Sequence, residues 1–425
     1  MKATLIHCYS DHNRGDTGII YSIYDLAKNS NPDLYISAMS VFSSEDDRFV
    51  TDHNHTKEVI AELYPSFFPE PGIEKKGTAP TAMDKLKVFA KYAIINLAIY
   101  ITKSRGLARI LLSPAEYASF ENFISSDKVI SKGGSFLYSF KGFKGAFFFA
   151  RMIYPFYLAR RFNIDSYIYS QSVGPFENKT SRMLFNKIQP HITGIFLREE
   201  KCLKYFKIKT SNVEIISDSA FSLNAPALKK EESSRKNVAV TARPHNFKNK
   251  NQEKNYVHAL SALIQRLIDT NYNIYLVPQV TGPSKGEDDR EVLNVLYNSA
   301  DKKEHMFYPS ENLNPREMKS LYGKMDYLIG TRLHSVIFAL GMGVPCINIA
   351  YHGTKAEGIM GALGLEDYVL NIESITDELL ISKFNQLQEN SEKIKPLIEQ
   401  RLTGIQNELE LSMGKVLLES SSCGS

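Results

Sequence analysis

Short runs of apolar, β-branched residues alternate along the chain with longer segments of helical periodicity. This is the pattern of a parallel sheet covered by helices on both faces. In the first half the runs Thr4–Cys8, Leu34–Val41, Lys128–Ser131, Ser166–Ser170, Gly194–Leu197 and Val213–Ile216 predict strands, and Ile19–Lys28 predicts a helix. A polar stretch without apolar periodicity, Lys229–Lys236, reads as a linker. The alternation then restarts with strand Asn237–Thr241, helix Tyr256–Thr270, strand Asn273–Val277, helix Asp288–Ser299, strand Tyr327–Gly330, helix Val336–Met342 and a buried strand in Gly343–Ala350. The pattern predicts an α/β fold of two Rossmann-like doubly wound domains, residues 1–228 and 237–385, joined by linker 229–236 and followed by a helical tail, 386–425. Tyr64–Thr81, rich in Pro, Gly and Lys, reads as a surface loop inside an insertion of about residues 65–114.

A chain of 425 residues exceeds what one core supports, in keeping with two domains. Its 43% apolar and 23% charged residues exclude disordered and fibrous classes. A net charge of +4 without a basic arm gives no reason to expect a nucleic-acid partner. Cys8, Cys202, Cys346 and Cys423 are scattered, with no CxxC pair or His/Cys cluster, so a reducing compartment and no metal are expected. Residues Met1–Asn13 lack the apolar core of a signal peptide, and the most apolar window, Val88–Ile101, is short and carries Lys91. The expectation is a cytoplasmic protein without a spanning helix. Two segments, Met83–Leu112 and Phe140–Phe162, mix basic with apolar and aromatic residues, which suits reversible docking on an anionic inner membrane face. The competing reading is a pair of core helices whose lysines reach out to solvent.

Candidate chemistry gathers where strands end, since ligands of doubly wound folds bind at the carboxyl edge of the sheet. The first strand leads into His12-Asn13-Arg14-Gly15-Asp16, where Gly15 permits close backbone approach and Asp16 can accept a hydroxyl proton or cap the helix. Further turns are expected at Ser131-Lys132-Gly133-Gly134, at Ser170-Gln171-Ser172-Val173-Gly174-Pro175, and at Leu197-Arg198-Glu199, where Arg198 either aims into the crevice or pairs with a neighbouring glutamate. The densest group is Thr331-Arg332-Leu333-His334-Ser335 followed by Tyr351-His352-Gly353-Thr354-Lys355. Two fixed cations, a titratable imidazole and a helix N-terminus suit a multiply charged anion such as a phosphate ester. An imidazole can donate and recover a proton near neutrality. Arg243, after the first strand of the second domain, is a further candidate phosphate ligand.

Taken in order, Asn13-Arg14-Gly15-Asp16, Lys132-Gly133-Gly134, Gln171–Pro175, Leu197-Arg198-Glu199, Asp218-Ser219-Ala220, Arg332-Leu333-His334 and Tyr351–Lys355 resemble the polysaccharide pyruvyltransferase family, over roughly residues 4–370. The resemblance implies the GT-B architecture of two-domain nucleotide-sugar glycosyltransferases, with phosphoenolpyruvate as co-substrate and no cofactor. It implies a pyruvate ketal on a sugar of a surface polysaccharide, exopolysaccharide or capsule, or of a lipid-linked oligosaccharide precursor. Carried over residue by residue, the donor ligands are Arg198, Arg332, the Leu333 backbone, His334 and Lys355. Glu199 stands where the family often has aspartate.

On this reading His334 is the general acid, Arg332, Lys355 and Arg198 clamp phosphate and carboxylate, and Asp16 serves as acceptor-side base. Asn13, Gly15, Gly133, Gly134 and Gln171 form backbone loops around the acceptor. The alternative is a glycosyltransferase using a nucleotide sugar, since fold alone does not fix function. A third class, a non-enzymatic assembly or sugar-binding protein, is favoured if Arg332 and His334 lie in a buried ion-pair network.

Overall fold

The computed structural model describes residues 1–73, 80–206, 212–228, 234–283, 286–309, 312–351 and 353–418. Two compact units emerge. One holds Met1–Asp11, Ile19–Ser219 and the chain from Glu408; the other holds His12–Gly18 and Ala220–Asn407.

The N-terminal unit is built on β1 (Lys2–Cys8), β2 (Tyr35–Ser40), β3 (Leu63–Tyr64), β4 (Lys128–Ser131), β5 (Gly134–Ser139), β6 (Asp165–Phe176), β7 (Gly194–Leu197) and β8 (Val213–Ile215). They pair in parallel in the order β3-β2-β1-β4-β6-β7-β8, with β5 beside β6. β4 and β7 are buried along their whole length, as strands covered on both faces must be. The chain winds outward from β1 to β3, then restarts at β4 in the opposite direction, so the order reverses between β1 and β4.

The C-terminal unit repeats the scheme with β9 (Lys236–Thr241), β10 (Tyr272–Leu276), β11 (Met306–Phe307), β12 (Tyr327–Gly330), β13 (Cys346–Ala350) and β14 (Val369–Asn371). All pairings are parallel, in the order β11-β10-β9-β12-β13-β14, and the reversal falls between β9 and β12. Both units are therefore doubly wound α/β layers, as the alternation of strand and helix periods predicts.

Several local expectations need correction. Tyr64–Thr81 is not simply a surface loop: Leu63 and Tyr64 form an edge strand, and Phe67 and Phe68 are buried in the core, while 74–79 lie outside the described residues. The first helix begins at Arg14 rather than Ile19, because Asn13 caps it: the Asp16 N–H donates to Asn13 Oδ1 at 3.3 Å and Asn13 Nδ2 donates to Asp16 Oδ2 at 3.0 Å. The expected turn at Gln171–Pro175 is the continuation of β6, held by its pairing with β5. Phe140–Phe162 is mostly a core helix, Gly142–Phe162, burying Phe149, Met152, Ile153, Phe156 and Leu158, with the exposed large apolar side chains of the segment confined to Phe140 and Phe143. Each such side chain contributes about 1.5–3 kcal/mol by leaving water.

Of the expected linker, 229–233 fall outside the described residues, and β9 already begins at Lys236. The tail forms helices Asp377–Glu389 and Ser391–Leu418. The end of the second belongs to the N-terminal unit, where Tyr169 OH donates to the Leu409 carbonyl at 3.1 Å and lies 2.7 Å from Ser412 Oγ.

Candidate functional site

In the C-terminal unit the charged motifs occupy the carboxyl ends of adjacent strands. Arg243 follows β9, Arg332 follows β12, Lys355 follows β13, and Gln279 follows β10. Because β9 and β12 flank the reversal of strand order, Arg243 and Arg332 stand at the crevice where such sheets bind ligands. Arg332 is the N-cap of helix Leu333–Leu340, and Leu333 and His334 are its first two residues. The first-turn N–H groups of a helix have no partner within the helix, and its dipole favours an anion there. Lys355 is the third residue of helix Gly353–Ala362 and half-buried, so a second helix N-terminus brings its cation to the same edge.

The Asn13–Asp16 turn packs into this unit rather than staying with the strand that precedes it. Asn13 bridges Val280, the Arg14 N–H donates to the Gln279 carbonyl at 3.2 Å, and the Thr281 N–H donates to the His12 carbonyl at 3.0 Å. Gly15 then lies directly on the imidazole: a Cβ built there would stand 2.3 Å from His334 Nδ1. Only glycine lets the backbone approach so closely.

Arg332 is not an open clamp. Its Nε donates to Asp289 Oδ1 at 2.8 Å and its Nη2 to the Glu287 carbonyl at 2.6 Å. Asp289 is fully buried and also accepts the Gln279 and Val280 N–H groups, both at 2.9 Å. Burial pushes the Asp289 carboxyl up to about 6, against the pull of Arg332 and the two N–H groups. This is the ion pair that the binding-protein reading requires of Arg332; His334 is half-buried against Gly15. Nearby, the Arg243 guanidinium lies 4.0 Å from the Tyr351 ring centroid and its Nε donates to the Pro244 carbonyl at 2.9 Å, while the Arg243 backbone N–H donates to Tyr256 OH, which is 2.9 Å from Thr331 Oγ1.

In the N-terminal unit the Gly133–Gly134 step enters β5. Gly134 takes a φ of +130°, and a Cβ on Gly133 would meet the Ser170 carbonyl at 2.6 Å. Gln171 is buried in β6, its Oε1 3.1 Å from Ser131 Oγ, and its Nε2 has no partner among the described residues. Arg198 pairs chiefly with buried Asp218 and, more loosely, with the neighbouring Glu199 at 3.7 Å. Its Nε donates to Ser172 Oγ at 2.8 Å and its Nη2 to Ser135 Oγ at 2.6 Å. Among the described residues no His, Cys, Asp and Glu group forms a metal site.

Asp289 and Gln279 escaped the sequence reading. In sequence Asp289 falls within the start of the helix expected over Asp288–Ser299, and only the fold brings it to Arg332.

A profile of the polysaccharide pyruvyl transferase family matches residues 13–353. The amylovoran biosynthesis protein AmsJ of Erwinia amylovora is 26% identical over 413 residues, 93% of this chain and 94% of AmsJ. Among solved structures, the UDP-GlcNAc 2-epimerase of Neisseria meningitidis aligns with a TM-score of 0.58 at 12% identity, covering 99% of this chain and 100% of that one. The spinosyn rhamnosyltransferase SpnG aligns with a TM-score of 0.53 at 8% identity, covering 99% and 100%. At such identities these structures speak for the fold alone, the two Rossmann-like layers shared by glycosyltransferases and epimerases. The sequence match over most of the chain is what decides the family: this protein belongs to the polysaccharide pyruvyl transferases.

Proposed function

We propose that the protein transfers the pyruvyl group of phosphoenolpyruvate to two hydroxyls of one sugar in an exopolysaccharide precursor, forming a ketal and releasing phosphate. The observation that carries this reading is the meeting of Gly15 and His334 beside three basic side chains at the edge of one sheet. The AmsJ relative, named for the biosynthesis of an exopolysaccharide, supports the acceptor class. His334 protonates the methylene carbon of the enol ether, leaving positive charge at the carbon that bears the carboxylate. A sugar hydroxyl adds there and loses its proton, phosphate departs, and the second hydroxyl closes the ketal and loses its proton. Arg332, Lys355, Arg243 and the Leu333 N–H hold the donor's phosphate and carboxylate, and no cofactor is required. Asp16, adjoining Gly15, is proposed as the base, and Arg198 as a binding cation of the N-terminal unit fixed by Asp218.

A lipid-linked acceptor and peripheral contact with the inner membrane face belong to the same proposal. Its support is helix Ala82–Thr102 with the short helix after it. Tyr92, Ile95 and Ile99 face the core, while Met83, Leu86, Ile94, Leu97, Ile101 and Ile110 lie exposed, among the exposed cations Lys85, Lys87, Lys91, Arg105 and Arg109. An apolar stripe edged by positive charge complements an anionic lipid surface. Among the described residues no helix is long and apolar enough to cross a membrane.

The test of the reaction is incubation with phosphoenolpyruvate and extracted lipid-linked glycans. Phosphate release that needs both substrates is expected. Release of a nucleoside diphosphate from a nucleotide sugar, with phosphoenolpyruvate untouched, would favour the glycosyltransferase alternative.

A further inference from the structure

Two arginines flank the reversal of strand order in the C-terminal unit, and they are held in opposite ways. Arg332 is 8% exposed, and its Nε and Nη2 are taken by Asp289 and the Glu287 carbonyl, which leaves Nη1 alone. Arg243 is half-buried and pairs with no carboxylate among the described residues. It gives up its Nε–H to the Pro244 carbonyl, while Nη1 and Nη2 have no partner among the described residues. Glu373, the acid whose field reaches the adjoining His245, is taken by Lys248 at 2.5 Å.

What fixes Arg243 is an aromatic wall. Its guanidinium carbon, 4.0 Å from the centroid of the Tyr351 ring, is close enough for cation–π attraction and van der Waals contact together. Tyr256 OH, which accepts the Arg243 backbone N–H at 3.2 Å and lies 2.9 Å from Thr331 Oγ1, ties the end of β9 to the end of β12. His245 tilts against Tyr351 with ring centroids 6.1 Å apart, and Phe247 stands edge-on to His245 at 4.8 Å and 5.7 Å from Tyr256. One wall therefore holds both the backbone and the side chain of Arg243. Burial, and then the Arg243 charge, push the His245 imidazole below its ordinary value against the pull of Glu373, so at neutral pH it adds no second positive charge. Ordering a long side chain costs conformational entropy, and a guanidinium already ordered binds an anion without that cost. With both terminal nitrogens unengaged, its planar fork can grip one oxyanion at two points.

We propose that Arg243 is the two-point anion ligand of the C-terminal unit and that Tyr351 is the positioning residue that presents it. Arg332, held by Asp289, then adds a single contact through Nη1 beside the N–H groups of the helix it caps. That the anion is the carboxylate or phosphate of the pyruvyl donor rests on the transferase reading above; the anion site itself does not.

The experiment is titration calorimetry of the full chain with phosphoenolpyruvate and with inorganic phosphate, at ionic strength matched with sodium chloride. It compares the parent with Arg243→Met, Tyr351→Leu and the double variant. Arg243→Met is expected to weaken phosphoenolpyruvate binding at least about tenfold, the scale of a charge-assisted contact. Tyr351→Leu is expected to lose most of that affinity, and the double variant no more than Arg243→Met, because Tyr351 acts through Arg243; a general loss of structure would add instead. Tyr351→Phe keeps the ring and should recover most of the loss. Arg243→Lys keeps the charge without the fork and should lose affinity as Arg243→Met does. Should Tyr351→Leu not fold, Tyr351→Gln, polar enough for a half-exposed place, stands in the same cycle. A loss seen with phosphate as well puts the fork on the phosphoryl group, and a loss with phosphoenolpyruvate alone puts it on the carboxylate. If the parent binds phosphate and not phosphoenolpyruvate, the donor reading fails and the phosphate titrations carry the cycle. Binding of neither anion, parent affinity in Tyr351→Leu or Arg243→Lys, or additive losses in the double variant would overturn the proposal.

Discussion

At the scale of single residues, the account turns on which side chains are held and which are left to act. His334 stands on the Gly15 backbone, so His334→Ala should fold normally and lose about 10²- to 10⁴-fold in turnover, the worth of a positioned acid. Gly15→Ala puts a methyl where the imidazole is and should reproduce most of that loss with normal donor binding, which a kcat against KM comparison reads directly. Arg332→Ala and Lys355→Ala should chiefly raise the donor KM. Asp289→Asn leaves the shape and removes the counter-charge that fixes the Arg332 guanidinium, so it should raise the donor KM as well. Unchanged KM would leave Asp289 with only a structural role. His334, Arg332 and Lys355 were legible because they follow strands in sequence. Asp289 is not, because its pairing is made by residues far apart in the chain, and the same distance in sequence hides the pairing of Arg198 with Asp218.

At the scale of elements, periodicity revealed strand and helix but not which face of a helix meets the core. Ala82–Thr102 and Gly142–Phe162 look alike as basic, aromatic-rich stretches, yet the second is packed through most of its length while the first keeps an apolar stripe in water. Phe149→Ala should cost about 3–5 kcal/mol, as a buried aromatic does, while Phe143→Ala, 69% exposed, should cost little; chemical denaturation distinguishes them. In co-sedimentation with anionic vesicles, low salt should favour binding and high salt release it. Changing Lys85, Lys87 and Lys91 to Glu should abolish it, and binding that survives this change would remove the membrane proposal. The alternation of strands also implied two doubly wound sheets, whereas the short β3 and the extension of β6 past Ser170 depend on neighbours, which sequence periods do not carry.

At the scale of the whole molecule, buried titrating groups set how stability follows pH. His7 and His53 are both pushed down to about 3, chiefly by burial, so between about 3 and 6.5 the unfolded chain binds protons there that the folded chain does not. Stability is therefore present above about 6.5 and lost as pH falls, by up to about 1.4 kcal/mol per pH unit for each ring. Asp289, pushed up to about 6, works in the opposite sense by one proton, so the net fall below neutrality should be shallower than two imidazoles alone would give. Unfolding followed from pH 7 to 5 checks this, and His53→Gln should flatten it further. Chelators should leave turnover unchanged, since the proposed steps use protein cations alone. The most direct measurement uses phosphoenolpyruvate labelled with ¹³C at its methylene carbon, followed by NMR of the recovered glycan. The account predicts the label in a ketal methyl group on the saccharide, with one phosphate released for each label transferred. A glycan that gains a sugar and no label, or label that remains in phosphoenolpyruvate while the glycan is modified, would contradict it.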